Sequence, residues 1–178
     1  MKADGMLLIE PTVFGDNRGY FMETYSAKEF EEAGITKAFV QDNQSRSKKG
    51  VLRGLHFQTR HPQGKLVRVT KGTVFDIGVD IRKGSATFGK WDGAILSDEN
   101  KQQLYIPEGF AHGFVVLSDI AEFVYKCTDF YDPGFEGGIR WNDPDIAVDW
   151  PIDSNMEIIL SDKDKIQPLF QQYIAENR

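Results

Sequence analysis

Short runs of alternating apolar and polar residues, each ended by a turn signal, constrain the fold of this chain more than any other feature. In residues 73–81, TVFDIGVDI, the odd positions carry Thr73 and four apolar residues, whereas residues 76, 78 and 80 are Asp, Gly and Asp. This period of two is typical of a half-buried strand with one face in the core. A similar pattern occurs in AEFVYKCTDFY, and further extended runs are MLLIE, YFMETY, AFVQDN, KLVRVT and QLYIP. Turn sequences such as GDNRG, SKKG and HPQG separate the runs, which predicts an all-β sandwich or barrel.

Only two helices are expected, both short and peripheral to the sheets. Ser26 and Glu29 have the spacing of a capping box, and Gly34 provides a stop signal. The segment DKIQPLFQQYIAEN, residues 164–177, is the second candidate, although Pro168 interrupts it.

Length and charge limit the possible partners. With 178 residues, 40% of them hydrophobic, the chain can bury one core, and we expect a single domain over residues 1–178. The 21 basic and 27 acidic residues give a net charge of −6, which opposes binding to nucleic acid or to an anionic membrane. An anionic small ligand would therefore need a local cationic pocket. We expect a soluble cytoplasmic protein, because no apolar run approaches the roughly 20 residues of a membrane span and no secretory segment is recognisable.

Several enzyme classes lose support because their motifs are missing. The sequence has no GxxxxGK[ST] phosphate loop, no GxGxxG between strand and helix, no GxSxG elbow and no HExxH. The single cysteine, Cys127, excludes an intrachain disulfide. It alternates with Phe123 and Tyr125 along a predicted strand, so a buried structural thiol is favoured over a nucleophile.

The three histidines occupy different settings. His61 in TRHPQG is interpreted as a solvated turn residue. His112 in PEGFAHGF fits a buried structural histidine and a functional one equally well. His56 in VLRGLHFQ lies between Leu55 and Phe57, an apolar setting that favours the neutral imidazole and suits a general base, with a structural core histidine as the alternative.

A metal site is the main rival use of these histidines. PEGFAHGF resembles the second signature motif of the cupins, a superfamily of small β-barrels, with Pro107, Gly109 and His112 in register. The first cupin motif requires an HxH pair followed by glutamate, and the corresponding region here reads GLHFQ. We therefore expect no catalytic metal.

Lys65 and Tyr125 share predicted strand faces with apolar neighbours. Lys65 alternates with Val67 and Val69, and a lysine on an apolar face is costly unless it is paired, functional or able to reach water with its tip. Tyr125 lies on the face of Phe123, where a structural tyrosine would be unremarkable. Neither residue supports a functional assignment alone.

Six linked sequence blocks between Phe14 and Asp164 resemble the dTDP-4-dehydrorhamnose 3,5-epimerase family. They are FGDNRGYFMETY, VQDNQSRSKKGVLRGLHFQ, GKLVRVTKGTVFDIGVDIRKGSATFGKW, LYIPEGFAHGF, IRWNDPDIAVDWP and LSDKD. The resemblance implies a cupin-type jelly roll that acts as a homodimer with shared active sites. It also implies a dTDP-4-keto-6-deoxy sugar as substrate, inversion at C3 and C5, and no metal or organic cofactor.

The resemblance also implies catalytic roles. His56 matches the family's base and Asp164 its carboxylate partner, although on the residues alone Asp164 fits a helix N-cap or first-turn acid. Tyr125 matches the proton donor, with Tyr131 as the second choice, and Lys65 matches the lysine near the enolate oxygen. Further matches to ligand-binding positions are Arg18, Glu23, Gln41, Asn43, Arg53, His112, Glu136 and Lys163, of which Arg18, Glu23, Gln41 and Asn43 are expected to reach across the dimer interface and Glu136 and Lys163 could instead be solvated turn charges.

One consequence concerns the backbone. Arg53 and His56 are three residues apart, so a regular strand would direct them to opposite faces. For both to reach one ligand, the strand must be irregular, and Gly54 could host a bulge.

Three alternatives remain open on the sequence. They are a metal-dependent cupin enzyme, a non-enzymatic nucleotide-sugar-binding protein, and a relative that inverts one carbon or moves the ketone.

Overall fold

The computed structural model describes residues 1–176 and consists mainly of antiparallel strands, which confirms the all-β prediction. The two main sheets have the strand orders β1-β9-β6-β11-β4 and β12-β5-β10-β7-β8, and β2 and β3 form a separate hairpin. This is the cupin jelly roll. The strands are β1 Leu7–Ile9, β2 Val13–Asp16, β3 Gly19–Met22, β4 Gln41–Lys48, β5 Leu52–Gln58, β6 Lys65–Lys71, β7 Thr73–Asp80, β8 Trp91–Ser97, β9 Gln103–Ile106, β10 Phe110–Val116, β11 Ile120–Cys127 and β12 Glu136–Gly138.

Three apolar clusters hold the layers together. The first lies between the sheets, where Val67 and Phe123 of one sheet meet Val74 and Phe114 of the other. The second covers the outer face of the β5-β10-β7 sheet with the chain that follows β12, which contributes Ile139, Ile146 and Phe170. The third packs Phe30 and Ile35 against Leu66 on the outer face of the other sheet.

The prediction that β7 is half-buried was wrong, because both of its faces are covered. Ile77 and Val79 pack under the segment after β12, while Asp76 and Asp80 point inward and are 0% exposed. Alternation gives the period of a strand correctly, but it does not show which face meets water.

The predicted helices form with altered ends. α1 covers Ala27–Glu32, but Ser26 makes no side-chain capping bond, so the capping box was wrong. The second candidate is divided into α2, Asp162–Lys165, and α3, Phe170–Glu176, because Pro168 cannot continue a helix. Asn177, the last residue of that prediction, lies outside the described residues. No helix within residues 1–176 is long and apolar enough to cross a membrane.

The predicted irregularity at Gly54 is confirmed. β5 pairs with β10 through His56↔His112 and Arg53↔Phe114, so three residue steps on β5 oppose two on β10. Gly54 has a φ of +132°, and a Cβ there would lie 2.6 Å from the backbone of Gly113. Only glycine allows this close approach, and the extra residue brings Arg53 and His56 to the same cavity.

Candidate active site

A cavity of about 290 Å³ opens between the two sheets. It is polar on several sides, with Phe57, Phe114 and Phe123 as apolar wall. The sequence-predicted residues that line it are Asn43, Arg53, His56, Lys65, His112, Tyr125, Tyr131 and Glu136.

His56 on β5 is paired with Asp164 in α2 at the side of this cavity. Nε2 of His56 lies 2.5 Å from Oδ1 of Asp164, whose side chain is 3% exposed. Burial alone would raise the pKa of Asp164, but hydrogen bonds from His56 and Ser161 outweigh it and hold the pKa below its ordinary value. The ionised carboxylate keeps a proton on Nε2, so Nδ1 of His56 is the nitrogen that can accept a proton from a ligand.

The local fold explains how Asp164 reaches His56. α2 begins after Ser161, whose Oγ accepts a hydrogen bond from the Asp164 backbone, while its hydroxyl donates to Oδ2 of Asp164 at 2.7 Å. The preceding chain is tied to the start of β5 by a bridge between Ile159 and Val51, the residue before the strand, and by a hydrogen bond from the Leu52 backbone to Ile159. Asp164 is thus a first-turn acid, as its sequence setting suggested, and also a partner of His56. The N-cap is Ser161.

Lys65 lies at the start of β6 and lines the cavity from the sheet opposite His56. Burial lowers the pKa of its ammonium group, and the nearby Cys127, Asp76 and Glu136 oppose this shift. A partly desolvated cation in this position can stabilise negative charge on a ligand oxygen more strongly than it could in water.

Tyr125 on β11 also faces His56 from the opposite sheet. Burial raises the pKa of its phenol, and nearby Arg53 only partly counteracts this. The hydroxyl therefore carries its proton at neutral pH and can donate it. In the same strand Cys127 is buried, as predicted, and burial raises the pKa of its thiol.

Tyr131 sits at the cavity mouth and is 52% exposed. Its hydroxyl donates to Glu136 at 2.8 Å, and Glu136 also pairs with Lys163. The burial of Glu136 would raise its pKa, but hydrogen bonds from Lys163 and Tyr131 outweigh it and lower the pKa. Gln41 accepts a hydrogen bond from the Tyr131 backbone, so Gln41, Glu136 and Lys163 surround the same mouth.

The remaining predicted residues are divided between the cavity and the surface. Arg53 lines the cavity and donates to Ser47 at 3.2 Å. Arg18 and Glu23 lie outside the cavity of this chain, because the β2–β3 hairpin stands apart from the two main sheets. Arg18 is paired with Asp16 on the exposed hairpin.

The other two histidines, His61 and His112, lie in different surroundings. His61 is exposed in its turn, as predicted, and lies 3.5 Å from Asp129. His112 is buried and paired with Asp76, a residue that the sequence interpretation missed. The sequence does show an acid between Phe75 and Ile77, but from the alternating pattern that face of the strand was interpreted as open to solvent.

Within residues 1–176 no group of three or more His, Cys, Asp or Glu side chains is arranged to hold a metal ion.

Comparison with known proteins identifies the family. The model of the dTDP-4-dehydrorhamnose 3,5-epimerase family matches residues 1–172. The chain belongs to this family. A curated dTDP-4-dehydrorhamnose 3,5-epimerase from Pseudomonas aeruginosa is 59% identical over 161 residues, which cover 90% of this chain and 88% of that protein.

Solved structures of related enzymes share the fold. The dTDP-6-deoxy-D-glucose-3,5-epimerase of Legionella pneumophila, in complex with dTDP-4-keto-L-rhamnose, superimposes with a TM-score of 0.94 at 55% identity and covers 99% of this chain and 93% of its own. ChmJ, a 3'-monoepimerase from Streptomyces bikiniensis in complex with dTDP-quinovose, gives a TM-score of 0.91 at 30% identity and covers 99% and 89%. The fold therefore hosts single as well as double epimerases, and this chain is closer in sequence to the double epimerase.

Proposed function

We propose that this chain inverts C3 and C5 of dTDP-4-dehydro-6-deoxy-D-glucose and so forms dTDP-4-dehydro-L-rhamnose. The family and the 55–59% identity to named 3,5-epimerases support this activity. Both carbons are adjacent to the C4 ketone, which makes their hydrogens removable because the resulting negative charge is delocalised onto the ketone oxygen.

The observation that carries this proposal is the placement of His56 and Tyr125 on opposite sheets around one cavity. Inversion requires a base on one face of the carbon and an acid on the other. His56, oriented by Asp164, removes the proton through Nδ1. Tyr125 then delivers a proton to the opposite face. Before the next inversion His56 releases its proton to water and Tyr125 recovers one from water.

The enolate formed between these steps needs a positive partner. Lys65 comes from the first sheet and lines the same cavity, so its ammonium group can stabilise the developing charge on the C4 oxygen. No metal or organic cofactor is required in this scheme, and that remains a prediction.

Tyr125 is a better proton donor than Tyr131 on the present geometry. The phenol of Tyr125 is inside the cavity and its pKa is raised mainly by burial, whereas the hydroxyl of exposed Tyr131 is already donated to Glu136. We therefore assign Tyr131 to ligand binding at the mouth.

Nucleotide binding is assigned to the cationic and amide groups around the cavity. Arg53 can form paired hydrogen bonds to a diphosphate, and His112 can bind the sugar. Asn43 and Gln41 lie at the mouth of their own chain's cavity, where Glu136 and Lys163 are also placed, and their expected reach across a dimer interface stays a prediction.

We further propose that the active enzyme is a homodimer. Arg18 and Glu23 match ligand-binding positions of the family but lie outside the cavity of their own chain, so a second copy must supply them if they bind the nucleotide. Sedimentation of the wild-type protein, with activity measured against protein concentration, tests this. The single domain and the cytoplasmic location remain predictions.

Proton NMR in D₂O tests the activity directly. Metal-stripped wild-type enzyme should introduce deuterium at both C3 and C5 of dTDP-4-dehydro-6-deoxyglucose, and His56→Ala should introduce it at neither. Exchange at one carbon would indicate a mono-epimerase, and restoration by added iron, zinc or manganese would indicate a metal-dependent cupin. Binding without exchange would indicate a nucleotide-sugar-binding protein.

A further inference from the structure

A second carboxylate–histidine pair lies inside the barrel, separate from His56 and Asp164. Asp76 on β7 is 0% exposed, and its Oδ2 lies 2.9 Å from Nε2 of His112 on β10. The other carboxylate oxygen, Oδ1, is buried and has no hydrogen-bond partner within residues 1–176. An acid with an unpaired buried oxygen destabilises a fold relative to an apolar side chain, so packing does not explain Asp76.

The ring of His112 is held in one orientation in the cavity wall. It stacks on Phe123 with the ring centroids 6.1 Å apart and the planes 20° from parallel. The hydrogen bond to Asp76 is the only one made by this ring among the described residues. Since Nε2 is directed at Asp76 and the residue lines the cavity, Nδ1 is the nitrogen that a ligand can meet.

Burial determines how many protons the pair holds. It raises the pKa of Asp76, and the opposing effects of His112 and Lys65 do not cancel the shift. One proton shared between Oδ2 and Nε2, with another on Nδ1, leaves the buried pair without net charge, which is the arrangement that burial favours. In this arrangement Nδ1 carries a hydrogen and donates it towards the cavity, wherever the shared proton resides.

Other ionisable groups around the Asp76–His112 pair do not cancel the effect of burial on its protons. Lys65 on β6 lowers the pKa of Asp76, but by less than burial raises it. Lys65 and Arg53 also bring positive charge that attracts an anionic oxygen to this end of the cavity. Tyr125 and Cys127 on β11 have pKa values raised by burial and stay neutral at pH 7. Glu136 on β12 is already paired with Lys163.

We propose that Asp76 is a positioning residue for the reaction, which fixes His112 so that Nδ1 donates a hydrogen bond to the substrate's C4 oxygen as that oxygen becomes negative. His112 and Lys65 then share the enolate charge. The inference rests on the proposed function, because it assumes that a keto sugar occupies the cavity. Its effect is exerted in the transition state, so it changes kcat more than KM.

A double-mutant cycle tests the proposal. Asp76→Asn preserves the side-chain volume but is uncharged, so it cannot stabilise the positive charge that develops on the His112 ring when Nδ1 donates to the enolate, and we expect kcat to fall by about 10- to 100-fold with KM within threefold of wild type. Because Asp76 acts through His112, the Asp76→Asn/His112→Ala enzyme should be no slower than His112→Ala alone. Multiplicative losses in the double variant, or an increase in KM alone, would overturn the proposal.

Asp80→Asn is the matched control. Asp80 lies on the same strand and is also a buried acid, but its partners are Arg82, Ser85 and Thr87, away from the cavity. We expect this variant to lose thermal stability and to retain wild-type kcat. Equal kcat losses for the Asp80 and Asp76 variants would show a general structural effect and contradict the proposal.

A second readout does not depend on any variant folding. Long-range ¹H–¹⁵N NMR of the wild-type protein at pH 7 should show a protonated Nδ1 in His112, and a lone pair on Nδ1 would overturn the inference. If the wild-type enzyme fails to convert the sugar, the proposed function is wrong. If it converts the sugar and Asp76→Asn is as fast, only the role of Asp76 is wrong.

Discussion

Replacement of Asp164 by asparagine should reverse the proton arrangement of His56 without removing any atom of the pair. Oδ2 of Asp164 accepts a hydrogen bond from Ser161 at 2.7 Å, and Oδ1 lies 2.5 Å from Nε2 of His56. In Asp164→Asn the amide oxygen remains on the Ser161 hydroxyl, which directs the amide NH₂ group at Nε2. Nε2 must then accept, the ring proton moves to Nδ1, and Nδ1 can no longer remove a proton from the substrate.

The magnitude follows from the two interactions that the substitution changes. Loss of the charge-assisted hydrogen bond to His56 costs about 1.5–3 kcal/mol. The reactive tautomer, which has its proton on Nε2, would place two hydrogen-bond donors against each other in a buried site, and this costs about 1–3 kcal/mol more. Together these lower kcat by roughly 10²- to 10⁴-fold. KM should change less than threefold, because Asp164 lies behind His56 and does not line the cavity.

Steady-state kinetics of Asp164→Asn and of Asp162→Asn measure this effect. Asp162 lies in the same helix, but its side chain is fully exposed and paired with Lys165, so its asparagine variant should match wild type. Circular dichroism confirms folding of both variants. A folded Asp164→Asn enzyme that retains more than a tenth of wild-type kcat would refute the assignment of His56 as a base oriented by Asp164.

Three further predictions follow from other parts of the structure. Lys65→Met should lower kcat by about 10²- to 10³-fold because the enolate loses its cation, whereas urea unfolding should show equal or greater stability because a buried ammonium group is removed. Gly54→Ala should destabilise the fold by at least about 2 kcal/mol, because φ is +132° and the new Cβ would collide with β10. As a control, the Cβ of Gly15→Ala would meet no atom closer than 3.8 Å, so this variant should melt at the wild-type temperature. The pKa of Asp80 is lowered from 3.8 to about 2, so its carboxylate stabilises the fold above pH 4. This contribution of about 2 kcal/mol is lost as the pH falls from 4 to 2. The free energies of unfolding of wild type and Asp80→Asn, followed by acid titration, should therefore differ by that amount.

Many of the strands could be predicted from the sequence because alternation and turn residues are local signals, but β2, β8, β10 and β12 lie in none of the predicted runs. The first and last residues of the predicted strands were less accurate. The run YFMETY predicts a strand to residue 25, but β3 ends at Met22, and AFVQDN predicts a strand from residue 38, but β4 begins at Gln41. Pairing with a neighbouring strand sets these limits, and pairing is not visible in a single segment.

The site could be predicted where residues matched a family pattern, and less well where tertiary structure decides the environment. His56, Lys65 and Tyr125 do line one cavity, as the resemblance implied. Asp76 was missed because its strand was expected to have one exposed face, and the covering chain comes from residues after β12. Arg18 could not be placed at the site by any feature of one chain, since its hairpin is separate from both sheets.

In the proposed mechanism His56 and Tyr125 act on opposite faces of the same sugar carbon. NMR of the substrate in D₂O with Tyr125→Phe and Tyr131→Phe tests it most directly, because exchange and inversion are measured in one sample. We expect Tyr125→Phe still to introduce deuterium through His56 but to return it to the original face, so that no inverted sugar accumulates. Tyr131→Phe should invert both carbons with kcat within threefold of wild type and a higher KM. Inversion at the wild-type rate by Tyr125→Phe, or loss of inversion in Tyr131→Phe alone, would show that Tyr125 is not the proton donor.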